Sequence, residues 1–236
     1  MDINLRYDMK NYQYIFLDLD GTITDPGVGI TGGVLYSLEH YGIELPPREE
    51  LYKFIGPPLM ESYQKYYGFS EEKSVEALGV YREYYSEKGV YENELYEGIP
   101  QLLAALKKAG KDIVLATSKP EYYAKMILES FHLSEYFTFI GGSDMEEKIR
   151  PGKVDVIRYD LEACGITDLS EVVMIGDREH DVFGAKKIGI DSIGVLYGYG
   201  DREELKKAGA DYIVETVGDL EKLLLDGAEK LLLCDV

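Results

Sequence analysis

From Gly98 onward the sequence alternates short apolar runs with amphipathic stretches of roughly ten residues, and that rhythm leaves few folds open. Helices are predicted over residues 100–109, 121–131, 153–164, 202–208 and 217–225, with another running to about Ile188. Between them lie strand-like runs over residues 112–117, 137–140, 171–177, 191–196 and 211–214. Gly110 and Gly165 stand just past two of the helices, where a left-handed residue ends the turn. An earlier run, Tyr14-Ile15-Phe16-Leu17, is apolar without alternation, as a strand buried on both faces must be. Strands that alternate with helices need right-handed crossovers, so the expected fold is α/β with a doubly wound parallel sheet.

Residues 24–96 break the rhythm. They read as helix after helix, over 33–41, 47–54, 58–67 and 71–89, separated by Gly- and Pro-bearing turns. Eleven of the 21 tyrosines fall there, and their helical spacing (Tyr63, Tyr66, Tyr67; Tyr81, Tyr84, Tyr85) reads as helix packing rather than a ligand box. The expected organisation is therefore a core domain from residues 1–23 and 97–236, with a small helical domain, 24–96, inserted after the first strand.

Three of the apolar strands end in reactive groups. Leu17 leads into Asp18-Leu19-Asp20-Gly21-Thr22, Ala116 into Thr117-Ser118, and Ile175-Gly176 into Asp177. In a parallel sheet all three tips lie on one edge, where open α/β sheets bind their ligands. Two carboxylates one residue apart at a buried tip repel each other and lose hydration, and a bound cation relieves both costs. Lys153 supplies a positive side chain from the first turn of its helix, against the macrodipole, as a residue retained for a site would. Lys148 and Arg150, in the charged loop before it, are rivals for that role.

The net charge of −19 argues against nucleic acid and anionic membrane as partners, while a small phosphate ester stays open if a metal and local cations reverse the sign at the contact. No run of about 18 apolar residues is present, and the first residues lack the apolar centre of a signal peptide, so the expected location is the cytoplasm. Cys164 and Cys234 are far apart and lack metal-ligand spacing; Cys164 reads as core packing.

The order Asp-x-Asp-Gly-Thr, helical insertion, strand-Thr-Ser, Lys at a helix start and Gly-Asp-x-x-x-Asp resembles the haloacid dehalogenase superfamily, most of all its phosphoglycolate phosphatase-like branch. The resemblance spans essentially the whole chain, with one departure: Arg150-Pro151-Gly152-Lys153 stands where the branch often has Lys-Pro. It implies an Mg²⁺-dependent phosphomonoesterase working through an aspartyl-phosphate. Asp18 would be the nucleophile, Asp20 the general acid and then base, and Thr117, Lys153 and the Ser118 N–H the groups that meet the phosphoryl oxygens. Backbone N–H groups at Gly21 and Thr22 would add donors. The metal would be held by Asp18, the Asp20 carbonyl and Asp177, with Asp181 behind them holding a metal-bound water or orienting Lys153. The helical segment would close as a cap, with residues 54–59 facing the metal, residues 197–200 as a second rim, and Arg178 and His180 near the substrate's far end. The implied partner is a small phosphorylated metabolite (phosphoglycolate, a nucleotide or a sugar phosphate), and a monomer or weak dimer is expected. Two competing readings are weaker. Sugar-phosphate mutases of the superfamily usually carry Glu-Asp where this chain has Gly176-Asp177, and a non-enzymatic phosphate-binding module would not normally keep both Asp18 and Asp20.

Overall fold

The computed structural model describes residues 10–146 and 148–226, so Cys234 lies outside the described residues. The central sheet has six parallel strands in the order β5-β4-β1-β6-β7-β8: β1 (Tyr14–Leu17), β4 (Asp112–Pro120), β5 (Phe139–Ser143), β6 (Val172–Gly176), β7 (Asp191–Val195) and β8 (Tyr212–Val214). Helices α4 (Ile99–Lys108), α5 (Glu121–Ser130), α6 (Lys153–Ala163), α7 (Glu179–Ile188) and α8 (Arg202–Ala208) lie in the crossovers, and α9 (Val217–Asp226) follows the last strand. Alternate strand residues enter different cores. Ile15, Leu17, Leu115 and Ile175 join the core built with α4, α5 and α9, whereas Phe16, Val114 and Met174 pack with Val156, Ile157 and Leu161 of α6. Both faces being covered is why these strands are apolar throughout. Cys164 packs against the second core, as the sequence indicates.

Register fixes the site. Leu17 pairs with Leu115 on one side and Ile175 on the other, so Asp18, Thr117 and Asp177 emerge within about one residue of a common level. β4 runs on to Pro120 rather than ending at Thr117, with a register shift between those two residues. Thr117 and Ser118 therefore belong to the strand and do not cap the following helix. β5 is likewise displaced toward its carboxyl end, at 139–143 instead of 137–140.

Between β2 (Thr24–Asp25) and β3 (Glu94–Leu95), which pair antiparallel, lie α1 (Gly27–His40), α2 (Leu59–Tyr67) and α3 (Glu71–Glu87), with 3-10 turns at Arg48–Phe54 and Gly89–Tyr91. Helix α1 starts six residues before the expected 33, through four glycines that disfavour a helix in isolation. Packing overrides propensity here: a Cβ on Gly29 would lie 2.1 Å from the Gly89 carbonyl oxygen, and one on Gly33 2.6 Å from the Tyr81 ring. Buried Tyr63, Tyr81 and Tyr85 do pack between helices, Tyr81 and Tyr85 stacking at 5.1 Å. No helix among the described residues is long and apolar enough to cross a membrane.

Candidate active site

Asp18 continues the β1 ladder, its N–H donating to the Ile175 carbonyl at 2.9 Å, and its Oδ1 accepts the Leu19 N–H at 2.8 Å. The chain then folds into a tight turn in which the Leu19 carbonyl receives the N–H groups of Thr22, Ile23 and Thr24. Gly21 adopts φ +82°, and any Cβ there would sit 2.1 Å from Asp177 Oδ2, so only glycine permits this approach. One expectation is corrected. The N–H groups of Gly21 and Thr22 are spent inside the turn, on Thr24 O at 2.8 Å and Leu19 O at 3.3 Å, and do not face a phosphate. Thr22 keeps a buried hydroxyl oxygen without a partner.

Lys153, not Lys148 or Arg150, reaches the acids. Its Nζ lies 2.9 Å from Asp18 Oδ1 and 2.8 Å from Asp181 Oδ1, and donates to the Ala116 carbonyl at 2.8 Å, one acceptor for each ammonium proton. Burial alone would push this lysine down; Asp18 and Asp181 outweigh it and raise it above the ordinary range, so it is charged. Lys148 is exposed and pairs with Glu146, while Arg150 donates to the Gly142 carbonyl at 2.7 Å.

Carboxylate oxygens of Asp18, Asp177 and Asp181 all lie within 4.8 Å of one another, in a buried cluster. Asp177 Oδ2 accepts the Tyr199 N–H at 2.7 Å, and its Oδ1 is buried with no partner. Burial, and then the neighbouring Asp181, push Asp177 well above the usual carboxylate range; burial, opposed by Lys153, pushes Asp181 up to about 6. Three buried acids against one lysine leave an uncompensated negative charge and an unsatisfied oxygen. That all-oxygen donor set fits a hard divalent cation. Asp181 contacts Lys153, as one of its two expected roles requires, and its Oδ2 accepts the Arg178 N–H at 3.1 Å.

Asp20 turns the other way. Its Oδ2 lies 2.6 Å from Lys119 Nζ, and Lys119 in turn donates to the Tyr85 hydroxyl of α3 at 2.8 Å. Asp20 Oδ1 is buried and unpartnered. Burial raises Asp20 against the opposing pull of Lys119. Sequence reasoning missed both partners. The available signal was a lysine at a strand tip directly after Thr117-Ser118, in line with the other reactive tips. Thr117 is buried and its Oγ1 accepts the Lys119 N–H at 3.2 Å; Ser118 is half-buried beside it.

A cavity separates this floor from the helices above. Asp20, Ser118 and Lys119 line it from below, and Phe54, Pro57, Pro58, Tyr81, Arg82 and Tyr85 from above. Gly56, Pro57, Pro58 and Leu59 thus face the cavity. Arg178 ties this loop to the core instead of facing the cavity, donating from Nη1 to the Ile55 carbonyl and from Nε to Glu204, each at 2.8 Å. His180 lies with Gly152 and Arg158 in a separate surface groove. Tyr199 donates its hydroxyl to Asp25 at the β2 crossing, and Tyr197 to the Thr22 carbonyl at 3.1 Å, so residues 197–200 brace the turn.

Residues 14–195 match the family model for haloacid dehalogenase-like hydrolases. The crystal structure of a predicted phosphatase from Clostridium acetobutylicum superposes with a TM-score of 0.89 at 48% identity, covering 92% of this chain and all of that one. A 5'-nucleotidase of Pseudomonas aeruginosa is 42% identical over 195 residues, 83% of this chain and 87% of its own. A tyrosine-protein kinase of Mycobacterium tuberculosis, PtkA, is 36% identical over 215 residues, 90% of this chain and 72% of its own. Other relatives are named pyrophosphatase and phosphoglycolate phosphatase. With the match covering most of its length and phosphatases recurring among its relatives, the chain belongs to the haloacid dehalogenase-like hydrolases as one of their phosphatases.

Proposed function

We propose that the protein is an Mg²⁺-dependent phosphomonoesterase that hydrolyses a small phosphate ester through an aspartyl-phosphate. The observation that carries this reading is the buried Asp18 carboxylate, 2.9 Å from the Lys153 ammonium and clustered with Asp177. Asp18 attacks phosphorus; the bond to the leaving oxygen breaks, and that oxygen takes a proton from Asp20, leaving an acyl phosphate on Asp18. Asp20, now ionised, takes a proton from water as that water displaces Asp18 and releases phosphate. Lys153 offsets charge between nucleophile and phosphoryl group, and the Thr117 hydroxyl and Ser118 N–H orient the phosphoryl oxygens. Asp18, the Asp20 carbonyl and Asp177 would hold Mg²⁺, which supplies charge neutralisation for the phosphoryl oxygens when bound.

Residues 24–96 act as a cap over the core formed by 1–23 and 97–236, a division supported by the β2–β3 crossing at its two ends. The aromatic cavity wall favours a leaving group with a ring face, and the 42% identity to a protein named 5'-nucleotidase points the same way, so a nucleoside monophosphate ranks ahead of phosphoglycolate. The setting we read for this activity is the cytoplasm, with the protein a monomer or weak dimer. Phosphate release across a panel of nucleotides, sugar phosphates and phosphoglycolate, with and without Mg²⁺ and with Asp18→Asn as blank, tests the proposal. Metal-dependent release lost in the mutant supports it, and silence on every ester with Mg²⁺ present removes it.

A further inference from the structure

We infer that Lys119, held from the cap side by the Tyr85 hydroxyl, is a positioning residue for Asp20: it fixes one carboxylate oxygen so that the other is presented to the leaving group. This rests on the reading of Asp20 as the acid–base group.

The two oxygens of Asp20 are not equivalent. Oδ2 is pinned by Lys119 at 2.6 Å, while Oδ1 is buried, carries no hydrogen bond, and belongs to a side chain lining the cavity where the leaving group would lie. A carboxylate that must move a proton needs one oxygen free and its rotamer fixed, because transfer demands hydrogen-bond distance to the reacting atom. Lys119 is itself held at two points. Its stem leaves the end of β4, which is anchored by pairing with β1 and β5, and its ammonium donates to Tyr85 at 2.8 Å. The Tyr85 ring is fixed by stacking on Tyr81 and by an edge contact with Tyr123 at 5.3 Å. Lys119 and Asp20 are both buried, and desolvating an ion pair tends to cancel its attraction, so such a pair is poorly explained as a gain in stability. Its geometric consequence is that a cap hydroxyl, acting through a lysine, sets where the core's proton-transfer group points.

The test compares single-turnover release of the leaving group from two esters. One is an unactivated alkyl phosphate; the other is p-nitrophenyl phosphate, whose phenolate departs without a proton. Lys119→Met should slow the alkyl ester by about 10- to 100-fold and the aryl ester by less than about threefold, a fraction of the full acid–base contribution. Tyr85→Phe keeps the ring and its packing, so it reports even if Lys119→Met does not fold; its loss should be smaller, about two- to fivefold, with the same preference for the alkyl ester. Asp20→Asn, run alongside, should show the strongest selectivity. Equal losses on both esters, a change confined to KM, or no loss, with Asp20→Asn still selective, overturns the positioning role alone. A non-selective Asp20→Asn overturns the acid–base reading, and the positioning role with it.

Discussion

The two buried lysines of the site are anchored in different ways. Lys153 answers to three acceptors that all belong to the α/β core: Asp18 after β1, Asp181 on α7 and the Ala116 carbonyl of β4. Lys119 answers to one core carboxylate, Asp20, and one hydroxyl from the helical insertion, Tyr85. In the proposed mechanism the lysine beside Asp18 is thus held without the cap, whereas the orientation of Asp20 depends on it. On the proposed mechanism, attack on phosphorus and departure of the alcohol would then be under separate structural control.

Substitutions on the core side should have the largest effects. Asp18→Asn should lower turnover by at least about 10⁴-fold, since the amide cannot attack, with circular dichroism unchanged. Near-normal turnover in a folded mutant would remove Asp18 as nucleophile. Lys153→Met should lower turnover by about 10³-fold and, in metal-free protein, cost about 3–5 kcal/mol, because it strands Asp18 and Asp181 as buried unpaired charges. Urea unfolding of the metal-free variant measures the cost, and a loss no larger than that of Lys119→Met would erase the contrast between the two lysines.

Smaller effects sharpen the same contrast. Mg²⁺ should raise the melting temperature by about 2–5 °C, because it neutralises the Asp18, Asp177 and Asp181 cluster only in the folded chain, and Asp177→Asn should abolish that rise. A full shift in Asp177→Asn would place the metal elsewhere. Outside the site, Asp160 is buried on α6 with neither oxygen partnered, and burial, partly opposed by Lys153, pushes it up to about 8. Its folded value lies above the unfolded one, so the stabilisation from its bound proton is complete below about pH 4 and is lost as pH rises toward 8. Asp160→Asn carries no such loss and should gain about 3–4 kcal/mol on the wild type between pH 5 and pH 8. Parallel unfolding curves at the two pH values would refute this.

Much of the floor was readable in the sequence because its signals are local. Asp18, Thr117 and Asp177 each follow an apolar run, and Lys153 violates the helix dipole at its own position. What escaped depends on partners distant in sequence. Tyr85 meets Lys119 across 34 residues, and nothing in the periodicity of α3 separates a tyrosine that packs from one that packs and also accepts a hydrogen bond from the site. The start of α1 was hidden because glycine argues against a helix until the close approach of Gly89 and Tyr81 is known. Asp160 occupies a helical position where an acid would be taken as solvated.

The antiparallel crossing of Thr24–Asp25 with Glu94–Leu95 has a thermodynamic meaning beyond its size. Because the inserted segment departs and returns at neighbouring points, the core bears the closure entropy of one loop, and that entropy grows only slowly with the loop's length. Helices can therefore be gained, lost or exchanged between those two points at little cost to the folding of the sheet. On the proposed function, leaving-group selection could then diverge while the phosphoryl-transfer floor stays fixed.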